Sequence, residues 1–456
     1  MSKKLIVLLT ALVLLCAAAL IPQDHVSVEP VVYQHLSWPG QSAETTGLGA
    51  DGELSTHLPL IILHTDGNVV PGVNVSDQRE LFCDWSIIHN ENGVNRSTDA
   101  PTQQGRAAIS IRGNSSRRFV KKQYSIRTLG QDGLNADVPL LGMPAHSAWV
   151  LNGSFIDRAI IRNYMLYNIC GEFMEYAPRS RMCEVMLTDA DHNVIYQGVY
   201  TLMEKPKVDE VRLPLVKYDP KYTATSFLVQ MNSHIDKHEI AHLKPDELMA
   251  YSFDLEYPGM DEITPQSLDY VEREMLTFEK LLYDADYTGN WAPVLDAIDM
   301  ESFVDYYLIN EFFQNYDAGI RSTYLYRNLG GKYRLGPVWD FDGTFNNFNA
   351  LHFKVSDMNL KTTYFYYYLS QCPEFAAHCA SRYRELRNSV LNEEYLLTCI
   401  DQCVEYLGDA GDRNYALWYP DSASSFSHYV ENMKEFVCER GAWLDEHFQR
   451  ISTVMK

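Results

Sequence analysis

Residues 316–347 read YDAGIRSTYLYRNLGGKYRLGPVWDFDGTFNN. Ser322 to Arg327 alternates with aromatic and apolar side chains, the period of a half-buried strand. Gly330-Gly331 supplies a turn, and Tyr333 to Trp339 returns as a second strand. A tight hairpin brings its ends together. Asp317, before the first strand, and Asp340-Phe-Asp342, after the second, are therefore expected side by side. Two carboxylates at a hairpin mouth suit a hard cation such as Mg²⁺ and can orient a hydroxyl nucleophile. The plainer alternative is an acidic loop before one strand and a helix cap after the other.

The chain has 456 residues, room for two or three average domains or one large two-lobed enzyme. It is 46% hydrophobic with 30 tyrosines, ample for a sizeable core. A formal charge of −22 argues against nucleic acid as a partner, since binding a polyanion needs a basic surface. It leaves room for a nucleotide held by Mg²⁺ and a few cations. Residues 1–22 read as an export signal or an N-terminal membrane anchor: Lys3-Lys4 precede an apolar run from Leu5 to Ile21, broken only by Thr10. Either reading puts the folded part outside the cytoplasm. Residues 23–54, rich in Ser, Gly, Thr and Pro, read as a flexible linker. Eight cysteines follow Cys16, an even number that fits disulfides and buried free thiols equally.

The remainder, 55–456, reads as one α+β domain. Leu58 to His64, Trp85 to His89, Ala107 to Arg112 and Gln123 to Thr128 have strand character. Asp157 to Cys170 has helical spacing, and Met182 to Leu187 and Val194 to Met203 follow as strands. Beyond about residue 260 the pattern turns mostly helical. Thr264-Pro265 starts one helix; Ser302 to Phe313, Phe375 to Val390, Glu393 to Leu407 and Phe426 to Phe448 are others.

Several further residues carry chemistry. The loop from Arg112 through Asn114 and Ser115 to Arg118, followed by Lys121-Lys122, offers amides, hydroxyls and cations that suit a phosphate, or forms a solvated basic turn. Glu204 ends a strand before Lys205-Pro206 and fits either a ligand-facing crossing or a salt bridge. Arg162 and Asn163 cap and brace their helix or reach the site. His234, His238 and His242 recur every four residues, which on a helix with Asp236 nearby would suit zinc.

Taken in order, Ile111-Arg-Gly-Asn-Ser-Ser116, Lys121-Lys122-x-Tyr124, Leu140-Leu-Gly-Met143, Trp149-Val-Leu151, Asp157 with Arg162-Asn163, Gly198-Val-Tyr-x-Leu-Met-Glu-Lys205, Tyr316-Asp317 and Trp339-Asp-Phe-Asp342 resemble the spore-coat-protein-H (CotH) kinase family. The resemblance implies an atypical two-lobed protein-kinase-like fold, with a β-rich N-lobe at about 55–205 and a mostly helical C-lobe at about 206–456. It implies an enzyme that uses ATP and Mg²⁺ or Mn²⁺ to phosphorylate Ser residues of secreted or coat proteins. A catalytically weak or inactive relative with a structural role is the alternative. Asp317 then matches the catalytic Asp, and Asp340, with Asp342, the metal-binding acids. Lys122 matches the phosphate-contacting Lys, with Arg112, Asn114, Ser115, Lys121 and Glu204 as further nucleotide contacts. Ser322, five residues after Asp317, stands where kinases place a second metal-binding Asn.

Overall fold

Among the described residues, seven strands close into a barrel: β1 (Leu60–His64), β2 (Leu81–Ile88), β3 (Gln103–Ile111), β4 (Tyr124–Leu129), β5 (Ala148–Asn152), β6 (Ser180–Thr188) and β7 (Val194–Glu204). The order around the ring is β7-β5-β4-β3-β2-β1-β6. Antiparallel pairing of β6 with β7 closes it, and β1 lies parallel to β6 with Leu60 opposite Glu184. The computed structural model describes residues 46–448 apart from 51, 75, 78, 91–92, 233–234, 236, 244–251 and 348–353. Every second residue turns inward, among them Ile61 and Leu63, Trp85 and Ile87, Ile109 and Ile111, Trp149 and Leu151, Tyr200 and Leu202. The two-residue period of a strand thus fills the barrel with side chains. Gly105 lets Trp85 lie flat: a Cβ there would stand 2.8 Å from the indole ring.

After β5 the chain enters α1 (Arg162–Gly171), whose ten residues are all buried. The expected helix from Asp157 starts five residues later, because Asp157 caps it: its carboxylate accepts the N–H groups of Ala159 at 3.1 Å and Arg162 at 2.9 Å. Past the barrel lies a second sheet, β8 (Phe227–Asn232), β9 (Glu239–Ile240), β10 (Ser252–Tyr257), β11 (Thr323–Arg327) and β12 (Tyr333–Leu335), in the order β9-β10-β8-β11-β12. The hairpin β11–β12 forms, pairing Leu325 with Leu335 and Arg327 with Tyr333, but its return strand ends at Leu335, short of the expected Trp339. It is not isolated, since β11 also pairs with β8 from Phe227 to Met231.

The rest is helical: α2 (Pro265–Thr288), α3 (Ala292–Ala297), α4 (Met300–Phe312), α5 (Tyr364–Leu369), α6 (Pro373–Arg387), α7 (Glu393–Leu407), α8 (Asp409–Trp418) and α9 (Phe426–His447). Thr264 caps α2 by accepting from Ser267 N at 3.3 Å, and Gly289, at φ 70°, ends it. Strands grouped in sheets beside helices make the chain α+β. Among the described residues no helix is long and apolar enough to cross a membrane.

One expectation changes, and two open readings narrow. Residues 47–54 do not belong wholly to a linker: Gly47–Leu48 pairs with Leu54–Thr56, which pairs with Asn95–Arg96, because Leu54 is fully buried. The export segment and the rest of the linker lie outside the described residues. His238 and His242 flank the short strand β9 and share no helix face, while His234 and Asp236 lie outside the described residues. The cysteines from Cys83 to Cys438 are free thiols, all buried except the partly exposed Cys438.

Lys121, just before β4, is 1% exposed and joins the barrel to α8. Its ammonium donates to Val199 O on β7 and to Asn414 Oδ1 on α8, the latter at 2.7 Å, and lies 4.6 Å from the Tyr200 ring centroid. Asn414 Oδ1 also accepts the Val199 N–H at 3.0 Å. Gly198, at φ 88°, admits this contact, since a Cβ would stand 2.4 Å from Asn414 Oδ1. A buried ammonium that loses an acceptor costs about 2–3 kcal/mol. Asn414→Ala should therefore lower the urea midpoint, and Lys121→Met added to it should restore part of the loss. Unchanged unfolding of Asn414→Ala would refute this role.

Candidate active site

The loop between α4 and β11 carries Asp317, and hydrogen bonds fix it. Thr323 Oγ1 accepts from Gly319 N at 2.8 Å and contacts the Tyr306 hydroxyl at 2.9 Å. The Asp317 carbonyl accepts from Arg321 N at 2.8 Å and Ile320 N at 3.1 Å. Gln314 and Ser322 adopt positive φ, 49° and 52°, and so do Asp340, Phe345 and Asn346 across the hairpin mouth. Left-handed backbone at non-glycine residues costs about 1–3 kcal/mol each and persists only where the surroundings enforce it.

α1 enforces it. Asn163 Oδ1 accepts the Phe341 N–H at 2.7 Å, and its Nδ2 donates to Asp342 Oδ1. The Tyr167 hydroxyl accepts the Asp340 N–H at 3.1 Å. Arg162 pairs with Asp157 and donates through Nε to Thr344 O at 3.1 Å. One buried helix therefore grips the acidic turn at Asp340, Phe341, Asp342 and Thr344.

The acids converge as the hairpin implies. Burial, then the charge of Asp340, push the Asp317 carboxyl up to about 7, against the pull of Arg321. Burial also raises Asp340, against the pull of Arg112 and the Ser322 hydroxyl, whose Oγ donates to Asp340 Oδ2 at 3.3 Å. Asp342 is raised well above the carboxylate range by burial and by the charges of Asp340 and Asp157. Asp317 Oδ1 is buried without a hydrogen-bond partner. Crowded, under-neutralised carboxylates with an unused acceptor fit a dication. No three His, Cys, Asp or Glu among the described residues converge as a ready metal cage.

The other sequence candidates divide. Arg112 belongs with the acids: its charge acts on Asp340, and its guanidinium lies 5.7 Å from the Trp339 ring centroid. Lys121 stands behind them, close enough to feel Asp157 and Asp342, although burial brings its ammonium down to about 7. Lys122 does not join them; its Nζ donates to Arg117 O at 2.8 Å and pins the loop. Asn114 bridges to Asn232 Oδ1 at 3.2 Å, and Ser115 is exposed. Glu204 is fully buried and accepts from Tyr176 OH at 3.1 Å, from Arg179 N and Nε at 3.0 Å each, and pairs with Arg212 at 3.5 Å. It braces the chain where β7 ends, as a buried salt-bridge partner of Arg179 and Arg212. A cavity of about 650 Å³, lined by His64, Asp84, Ser86, Arg106 and His192, lies elsewhere and includes none of these acids.

The family model described as CotH kinase protein matches residues 109–444, from β3 into α9. The chain belongs to the CotH kinase family. No curated protein matches it significantly. The match spans both acidic sites and the helix that grips them, so this CotH family member carries its acid cluster inside the shared part. Sequence reading missed Arg321, which ion-pairs with Asp317 at 3.2 Å, and Asn414. The i,i+4 spacing of Asp317 and Arg321 was a usable signal; nothing near Asn414 announced a partner for Lys121.

A carboxyl raised on folding stabilises the protein below its unfolded value, and that contribution is lost as pH rises through the folded one. For Asp317 the window runs from about 4 to about 7. Metal-free protein should thus lose stability across this range, and Asp317→Asn should raise stability at pH 8 by about 1–3 kcal/mol. Denaturant melts at pH 5 and pH 8 test this; a variant less stable than wild type at pH 8 would contradict it.

Proposed function

We propose that this chain is an ATP- and divalent-metal-dependent protein kinase that transfers the γ-phosphoryl group to Ser residues of extracytoplasmic, coat-like proteins. The observation that carries the reading is the meeting of Asp317, with its unused buried oxygen, and Asp340 across the hairpin mouth. In this reading the barrel and α1 form one lobe, the second sheet and the remaining helices the other. The apolar run after Lys3-Lys4 supports a location outside the cytoplasm.

Each group has work suited to it. Asp317 Oδ1 accepts the acceptor hydroxyl and takes its proton as the new O–P bond forms. The bond from the γ-phosphorus to the bridging oxygen breaks, and its electron pair leaves with ADP. Asp340 and Asp342, with Ser322, would hold Mg²⁺ or Mn²⁺, which when bound neutralises phosphate charge. Arg112 adds a cation facing Asp340. Asn163 and Tyr167 keep the acidic turn in register, so little reorganisation is left for the reacting state.

A second reading, nucleotide binding without efficient transfer, is favoured by Ser322: a hydroxyl already donating to Asp340 is a weaker ligand than an amide oxygen. One experiment separates them. Full-length protein is incubated with γ-labelled ATP, Mn²⁺ or Mg²⁺ and a Ser-rich acceptor. Asp317→Ala and Asp340→Ala should each reduce labelling by about 100-fold or more. Stabilisation by ATP without label would instead support the second reading, and label that survives both substitutions would end the first.

A further inference from the structure

Arg321 is the nearest cation to Asp317, and its contact is incomplete. Its Nε stands 3.2 Å from Asp317 Oδ1, yet both atoms are buried and neither has a hydrogen-bond partner. The guanidinium lies over the Tyr316 ring, 5.1 Å from the centroid, and its charge acts on Asp340 as well as Asp317. A guanidinium present only to steady a carboxylate pairs with it through aligned N–H···O bonds. This one sits by two aspartates with its buried Nε–H unspent. Stacking on Tyr316 fixes the plane of the fork while leaving that donor available. A third, anionic partner between the two acids completes the arrangement, and the flat fork of Arg matches the oxygens of a phosphoryl group.

We propose that Arg321 is a catalytic residue that contacts the transferred phosphoryl group directly. This rests on the kinase reading above. As the acceptor oxygen bonds to the γ-phosphorus and the bridging P–O bond breaks, negative charge spreads over the equatorial oxygens. Arg321 donates to them and takes no proton; the acceptor's proton goes to Asp317 and the electron pair to ADP. The alternative is an ordinary i,i+4 ion pair that trims loop mobility and is worth a few tenths of a kcal/mol.

The test uses full-length wild type, Arg321→Met and Arg321→Lys with Mn²⁺, reading melting temperature with ATP and with ADP alongside label transfer. Wild type should be stabilised more by ATP than by ADP. Arg321→Met should keep the ADP effect, lose the extra effect of ATP, and lower kcat by about 100- to 1000-fold with a smaller change in KM. Arg321→Lys should recover part of both. An Arg321→Met variant that still prefers ATP and transfers within about threefold of wild type overturns the proposal, as does one that loses the ADP effect through a damaged fold. If wild type prefers ATP without transferring phosphate, the kinase reading fails, while loss of that preference in Arg321→Met still upholds the phosphate contact. Wild type unaffected by either nucleotide ends both.

Discussion

A buried ion pair anchors the acidic site. Asp157 and Arg162 are both at most 1% exposed, and desolvating two charges costs several kcal/mol unless their remaining valences are filled. Here they are: Asp157 also takes two backbone N–H groups, and Arg162 reaches the Thr344 carbonyl. The pair therefore does more than start α1. It ties the first turn of a wholly buried helix to the segment that follows the hairpin, and Asn163, one residue on, holds Phe341 and Asp342. The positive φ angles at Asp340, Phe345 and Asn346 exist because this network over-determines them.

The same network sets up a conflict. It presses Asp340 and Asp342 together and brings Asp342 near Asp157, with Arg112 and Arg162 as partial relief. A stability-optimised protein would replace one acid by an amide. Retaining carboxylates that burial holds above their ordinary range sacrifices stability, the trade-off of a functional site. The crowding is local, because elsewhere buried acids find full partners: Glu311 pairs with Arg440 and accepts backbone N–H groups from Asn359 and Leu360, and Glu204 has its two arginines.

Much of this was legible in the chain. Local alternation located most barrel strands to within a few residues, and Thr264-Pro265 marked α2 because a cap and an N1 proline act within one turn. The hairpin announced that Asp317 and Asp340 meet, since Gly330-Gly331 fixes the geometry by itself. What sequence could not give was long-range. Closure of the barrel depends on β1 lying beside β6, more than a hundred residues later. Strands β8 and β10 are short and bury both faces in part, so no clean alternation marked them. Of adjacent lysines, nothing local says which turns inward; Lys121 does so because Val199 and Asn414 wait there, and Lys122 is left to the loop. Glu204 kept two readings for the same reason, as its salt-bridge partners Arg179 and Arg212 meet it only in three dimensions.

The Lys121 contact has a bearing on the order in which the molecule can be built. All seven barrel strands have been synthesised by residue 204, yet one acceptor for the cation inside that barrel is Asn414, 293 positions after the lysine. Until α8 arrives, Lys121 lacks that partner, and Gly198 has an open notch where the helix should lie. The N-terminal half is thus a poor candidate for stepwise folding during synthesis. Its high-separation contacts must wait for almost the entire polypeptide. A truncation anywhere before α8 would leave the barrel without its keystone.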